Sequence, residues 1–574
     1  MKNLSLKTVS TILALSAFMV QPTGLSAFTS LTDCGLYVQD GADQVTVDDS
    51  IKLWKTEGAK LFEDNLFTKL RRGVGKSKIR DCKIPEMQRL ALAIRGGKYD
   101  LHFRVNSFKP LYTPETLGRL LHIGNGYSRF QQVTGIVVSP GKNIIIVDGL
   151  KTDTPLHLKV AYLYAPDQGN ADWSLHTESY ELHNGVNIIE KKTQWSGLAY
   201  IDYYFDRPEL ENEIKVHFVN SSVNGYFDAS VDSDADWDKL LSKAVYPVFD
   251  AVGKHVHLAY PVEDFKKYAS GKGRELMSAY DEIVANQYEI LGWKKYGRIP
   301  DNKIFARVNY SYYMFRDGNG VAFKFDTMNR VADPEKVRHT DEDVCWGFSH
   351  EIGHVHQLSP YLSWGGLGET SNNICSRYCT QAFGYPNRLS KAFTEAEKNF
   401  LHDGMAGSVS KARTAGGMTD SIISPVGQNG GDKALSYLEV DVFQRLVPFW
   451  KLQCYYVKHG MPDFYPDLYE RMRNTEKLYP VMAGVDRHAN IVPFQLNFIR
   501  GASFVAGKNL YPYFEAFGFF RILRLKYDDY GMYTYEMTES MRDAFRAEME
   551  GYVKSGKLAD LTSEELEAML NAQE

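Results

Sequence analysis

"FSHEIGHVHQ", Phe348 to Gln357, carries three histidines and one glutamate in ten residues. His350 and His354 are four apart, so on a helix their imidazoles lie one above the other on the same face. Two imidazoles placed this way can grip one zinc ion. Glu351 lies beside that face, where it can take a proton from a metal-activated water. His356, two residues past His354, falls nearly on the opposite side and is not counted as a ligand. An H-E-x-x-H recurs by chance in roughly 2% of chains of this length, so a third ligand has to decide.

Structural zinc sites close with four protein ligands, whereas catalytic ones use three and leave a position for water. In an H-E-x-x-H-x-x-G-x-x-H site the third ligand is a histidine. Here Gln357 and Pro360 occupy the glycine and final histidine positions, which excludes that class. The other common solution is a glutamate on a following helix. In "LSPYLSWGGLGETSNNICSRYC", Leu358 to Cys379, Pro360 and Gly365, Gly366 and Gly368 break the first helix, and Glu369 opens a new helical segment. Glu369 is the first acidic residue after Glu351 and the expected third ligand. Asn372 and Asn373 share its helical face and are expected to orient its carboxylate. A mixed Cys/His site using Cys375 and Cys379 is the rival, but it would leave Glu351 without a role.

The chain has 574 residues, is 44% hydrophobic and 24% charged, and has a net charge of −5. These values describe a globular protein of several domains and give no reason to expect nucleic acid as a partner. Lys2 and Lys7 precede the apolar run Thr8–Val20, and small residues end at Ala27: a secretory signal peptide over residues 1–27. That run is too short to span a bilayer and no later stretch is long and apolar enough, so a transmembrane anchor is not expected. Export to the periplasm, the cell surface or the medium is. Six cysteines survive signal removal, and Cys34 with Cys82 is a plausible local pair.

The texture of the chain indicates a multidomain α+β protein. Residues 28–105 are a mixed region with helical stretches such as "IKLWKTEGAKLFEDNLFTKL" from Ile51. Residues 106–235 read as a β-sandwich of short strands, among them "TGIVVSPGKNIIIVD", Thr134 to Asp148, taken as a hairpin across a Pro-Gly turn. Residues 236–545 form the zincin catalytic domain of the glutamate-ligand (gluzincin-like) kind, mostly helical towards its end, including "YPYFEAFGFFRILRLKY" from Tyr511. In it Val321–Phe325 is the candidate edge strand for substrate, with a buried core strand as the equal alternative. The Gly-rich segment 414–432 reads as a long loop, and 546–574 as a helical tail with a solvated face.

The set His350, Glu351, Gly353, His354, Gln357, Trp364, Glu369, Asn372 and Asn373 resembles the pattern of the enhancin-like metallopeptidases, the M60 family of mucin-degrading peptidases. "YSRFQQVTGIVVSPGKNIIIVD" is similar to that family's N-terminal sandwich segment, although Gln132-Val133 stands where Asn-Pro is usual. "RGASFVAGKNLYPYFEAFGF" is similar to its late helical segment. The resemblance implies a zinc endopeptidase, with Zn2+ on His350, His354 and Glu369 and Glu351 as catalytic base. Gln357, Trp364, Asn372 and Asn373 would support the ligands or meet substrate. The implied substrate is mucin or another O-glycosylated protein, cut through contacts that include glycan, by a protein expected to be monomeric. Two alternatives stand beside it: a zinc peptidase with no glycan requirement, and an exported glycan-binding or adhesion protein with a vestigial zinc site.

Overall fold

The computed structural model describes residues 44–124, 126–165, 175–397, 421–423, 437–439 and 441–574. The proposed signal peptide, Cys34 and most of the Gly-rich 414–432 segment lie outside them. Within that segment Ser421–Ile423 is a strand, paired in parallel with Leu525–Tyr527.

Residues 105–223 form two antiparallel sheets. One has four strands, Val105–Phe108, Ile214–Phe218, Gly141–Asp148 and Gly185–Lys191. The other has five, Ser222–Val223, Val133–Val138, Gly197–Asp202, His157–Ala161 and Thr177–Glu181. The run Ile144-Ile145-Ile146-Val147 shows why they stack. Side chains alternate across a strand, so Ile145 and Val147 enter a core shared with Ile136, Val138, Val160 and Ile201 of the other sheet. Ile144 and Ile146 face the opposite way, against Trp54, Phe62, Met87 and Leu90 of the preceding helical region. A strand buried on both faces reads as a continuous apolar run, and this one does.

The Thr134–Asp148 hairpin is not formed. Val133–Val138 and Gly141–Asp148 lie in different sheets and do not pair with each other. The Ser139-Pro140-Gly141 turn, with Gly141 at φ 90°, carries the chain from one sheet to the other. The two strands therefore meet through side chains. Turn residues specify a reversal of direction, but not whether backbone or side chains close it.

The five-stranded sheet turns Val133, Val137, Leu198 and Tyr200 towards the rest of the molecule. Here lies a six-stranded sheet: β1 (Tyr226–Asp228), β2 (Val248–Val252), β3 (Val256–Pro261), β4 (Ile304–Asn309), β5 (Met314–Asp317) and β6 (Gly320–Lys324), in the order β1-β2-β3-β4-β6-β5. Tyr200 donates to Asp250 at 2.8 Å, and Asp250 also holds His257 at 2.7 Å, tying the two sheets together. Asp234–Lys243 is a helix, after which Val248–Val252 enters the sheet as β2. Of the two readings of Val321–Phe325, the buried core strand is the one formed. Val321, Ala322 and Phe323 are fully buried, and β6 lies between β4 and β5. The Gly318–Gly320 turn folds β5 back along β6, and β5 becomes the edge.

Four helices matter for the site: α1 (Gly273–Ile290), α2 (Glu342–His356), α3 (Gly368–Ala382) and α4 (Val442–Lys458). The last segment is a capped helix, Ser563–Leu570, with Glu564 and Glu567 facing solvent, but its far end docks on the site helices. A helix, Glu539–Lys554, runs across the expected boundary at 545/546. Beyond it Lys451 of α4 donates to the carbonyls of Leu570 and Ala572 at 2.7 and 3.0 Å. Arg377 of α3 donates to Glu574 at 2.6 Å. "YPYFEAFGFFRILRLKY" is helical only over Tyr511–Ala516. It then becomes β7 (Leu523–Asp528), paired with β8 (Met532–Met537).

Candidate metal centre

Two glycines let α2 sit where it does. A methyl group at Gly347 would fall 2.8 Å from Met314 Sδ of β5, and one at Gly353 would fall 2.8 Å from the Asn372 carbonyl oxygen of α3. The helix is thus in close contact with the edge strand on one side and with α3 on the other. Its back is anchored by Gln287 of α1, which donates to the Ser349 carbonyl at 2.7 Å and accepts from His356 Nδ1 at 2.8 Å. His356 is a core residue, as its position on the helix predicts. It lies 3.1 Å from Tyr127 Oη and against Trp293, and burial lowers its pKa to about 3.

His350, His354 and Glu369 converge, with their ligand atoms all within 4.8 Å of one another. The second nitrogen of each imidazole has an acceptor. His350 Nδ1 donates to Asn373 Oδ1 at 2.8 Å, and His354 Nδ1 donates to Gln357 Oε1 at 3.0 Å. That assignment leaves both Nε2 atoms as lone-pair donors. They lie 3.0 and 3.4 Å from Glu369 Oε2. Two imidazole lone pairs and a carboxylate directed at one point repel one another unless a cation stands among them, and this N,N,O set suits zinc. Among the described residues no other group of three or more such side chains could hold a metal. Cys375 and Cys379 are buried free thiols outside it, and the mixed Cys/His site is not formed.

The electrostatics follow from burial and proximity. Burial alone would lower the His350 pKa, but the Glu369 carboxylate outweighs it and lifts it to about 9. Burial would raise Glu369, yet the imidazoles of His354 and His350 hold it well below the ordinary carboxylate range. Glu351 is 8% exposed. Burial raises its pKa, with the Glu369 charge adding and the two histidines opposing.

The asparagines do not act as expected. Asn373 binds His350, and its amide donates to the Glu369 backbone carbonyl rather than to the carboxylate. Asn372 Nδ2 lies 3.0 Å from His354 Nε2. Gln357 donates to the Gly368 carbonyl at 2.6 Å and to Ser371 at 2.8 Å, joining the end of α2 to the start of α3. Trp364 is 1% exposed, donates to Tyr437 at 3.1 Å and packs on Phe449 and Phe498. It supports the loop between the two helices from the core side.

The group that does orient the Glu369 carboxylate comes from far along the chain. Tyr530, in the turn between β7 and β8, donates to Glu369 Oε1 at 2.5 Å. Its φ of 55° is in the left-handed region that bulky residues seldom adopt. Burial and the neighbouring Glu369 carboxylate raise its pKa. Next to it Asp529 accepts from the Gly366 and Gly368 N–H groups at 2.6 and 3.3 Å, fixing the loop from which Glu369 emerges. The alternation of "LRLKYD" and "MYTYEM" about "DYG" was the signal for this hairpin.

A metallopeptidase from Bacteroides thetaiotaomicron superposes with a TM-score of 0.71 at 24% identity, covering 90% of this chain and 80% of its own. A metallopeptidase in complex with Tn antigen gives 0.64 at 24% identity, covering 79% of each chain. The M60 catalytic domain of Clostridium perfringens ZmpC, in complex with the sialyl T antigen, gives 0.55 at 13% identity and covers 82% of this chain and 83% of its own. Comparison with curated protein sequences returned no match. The sequence profile of peptidase M60, enhancin and enhancin-like, matches residues 223–518, just over half of the chain, and the protein belongs to that family.

Proposed function

We propose that the protein is a zinc-dependent endopeptidase that cleaves mucin-type O-glycosylated proteins and is exported after removal of residues 1–27. One observation carries the chemistry: two imidazoles, each held at Nδ1 by a side-chain amide, converge with a carboxylate, and Glu351 is buried beside them. The Tn and sialyl T antigens bound to two proteins of the same fold support glycan contacts in the substrate.

In this reading His350, His354 and Glu369 would hold a zinc ion, which would supply Lewis acidity to a water and to the scissile carbonyl. Glu351 takes the proton from that water and passes it to the leaving amine. Its raised pKa suits both halves of that task. Asn373 and Gln357 keep each imidazole in the tautomer that presents Nε2. The Tyr530 hydroxyl stands 2.5 Å from Glu369 and, by turning its one proton away from that carboxylate, donates to the oxyanion as charge develops there. A substrate strand pairs with the outer edge of β5, and the stacked sheets of residues 105–223 serve as a β-sandwich that buttresses this cleft. No helix among the described residues is long and apolar enough to cross a membrane.

The test is cleavage of an O-glycosylated mucin-type peptide and its deglycosylated twin, read by mass spectrometry with and without a zinc chelator. Chelator-sensitive cutting of the glycosylated form alone is expected. Cutting of both discards the glycan requirement, and cutting of neither across a panel of glycoforms overturns the peptidase reading.

A further inference from the structure

We propose that Arg316 is a specificity-determining residue that receives a carboxylate of the substrate next to the scissile bond; this rests on the peptidase reading above. The argument begins with strand alternation. On β5, Met314 and Arg316 point to one face, and Phe315 and Asp317 to the other. Met314 meets Gly347 of α2, so Arg316 also faces α2, one turn further along, at the level of Glu351.

The carboxylate nearest in sequence is already taken. Asp317 pairs with Arg307 of β4 at 2.7 and 3.3 Å on the far face, where that guanidinium also lies over the Phe315 ring at 5.5 Å. Arg316, in contrast, makes no hydrogen bond or ion pair with any described residue, and its Nε is buried without a partner. A buried charge is ordinarily paired. This one feels the charge of Asp317 and, after it, that of Glu351, and is hydrogen-bonded to neither. A direct pair would hold Glu351 as a weak base, and the gap keeps both groups available.

Arg316 as a residue is part-exposed, and of its guanidinium only Nε is enclosed without a partner. A methyl group at Gly124 would stand 3.1 Å from Nη2, so the guanidinium extends to the Gly124 loop, and Gly124 itself is exposed. The cation therefore lies between the proposed base and solvent, under the edge strand. A peptide adding to β5 would place alternate side chains on the α2 face, and a substituent there meets a free planar fork suited to a carboxylate. That carboxylate can belong to an Asp or Glu flanking the scissile bond, or to an acidic sugar on the neighbouring glycan.

Three kinds of peptide separate these sources: a neutral O-glycopeptide, the same peptide with Glu scanned through the flanking positions, and the neutral peptide bearing an acidic sugar. kcat/KM is measured on zinc-loaded wild type, Arg316→Gln and Arg316→Lys. In wild type one carboxylate-bearing peptide is expected to exceed the neutral one by about tenfold or more, mainly through KM. That ratio should fall to about one in Arg316→Gln and survive in part in Arg316→Lys, which also reports if the glutamine variant does not fold. The arm that gains identifies the source. No gain in either arm, or a gain that persists in Arg316→Gln, overturns the proposal. If wild type cuts none of the peptides, the peptidase reading fails on its own. The same ratios are then read as dissociation constants by fluorescence anisotropy on Glu351→Gln with and without Arg316→Gln, and equal affinities for all the peptides overturn this inference as well.

Discussion

The helix pair α2/α3 and the stacked sheets of residues 105–223 are both buried, but by opposite means. Between the sheets the core is Ile, Val, Leu and aromatic side chains, with Ile145, Val160 and Ile201 fully enclosed. Around the helix pair, Ser349, Glu351, His356, Thr370, Ser371, Asn372, Asn373, Ser376 and Arg377 are all buried. An apolar core stabilises through area and close packing and tolerates changes that keep its volume. A buried polar network holds directions wherever a donor meets its acceptor, as Asn373 and Gln357 do on the two imidazoles, and a lost partner there leaves an unsatisfied group. The first region should therefore govern stability with little effect on chemistry, and the second the reverse.

The largest expected effect tests the helix pair. Glu351→Gln is nearly isosteric and should lower kcat by about 10³-fold or more. Zinc stoichiometry by metal analysis and the thermal midpoint should stay within error of wild type. Retained turnover would remove Glu351 from the mechanism and end the contrast.

The sheets are tested by Ile145→Ala. Removing this fully buried side chain should cost about 2–5 kcal/mol in urea unfolding, while zinc affinity of the folded protein is unchanged. A fall in zinc affinity would show the two regions to be coupled.

One buried imidazole sharpens the comparison from the sheet side. His217 donates through Nδ1 to the Leu66 carbonyl at 2.6 Å, and Tyr99 Oη lies 2.7 Å from its Nε2. Burial lowers its pKa to about 4, against about 6.5 in the unfolded chain. Between those values the unfolded chain takes a proton that the folded one refuses. The stability it contributes is present above about pH 6.5 and lost as the pH falls towards 4, by about 3 kcal/mol in all. Urea midpoints between pH 7 and 4.5 should show a steeper acid loss in wild type than in His217→Gln, and parallel slopes would refute this.

The smallest effect belongs to Asn373→Ala, which frees the His350 ring. Zinc affinity should weaken about 10- to 100-fold, as for other partners of metal-binding histidines. A competition titration with a chromophoric chelator measures it, and no change would mean that the α2–α3 packing alone orients the imidazole.

Much of the site was legible because it is local. The four-residue spacing of His350 and His354, and a glutamate opening the helix after a glycine-rich break, follow from helical geometry and turn chemistry. His356 could be set aside for the same reason. The roles of Asn372, Asn373 and Trp364 were less legible. Spacing tells which face a side chain occupies but not which atom it meets, and Asn373 met His350 rather than the Glu369 carboxylate.

By itself, then, the sequence determined the helix that carries His350 and His354, the position of the third ligand candidate, the strand-rich region before them and the family resemblance, all properties of short-range periodicity and motif. Tertiary structure alone decided the rest. It sent Val133–Val138 and Gly141–Asp148 to opposite sheets and buried β6 so that β5 became the edge. It also brought Tyr530 against Glu369 from 161 residues away and left Arg316 without a hydrogen-bond partner among the described residues. Each of these depends on which distant surface a segment packs against, and a local pattern of apolar and polar residues fixes the face that is buried without specifying what covers it.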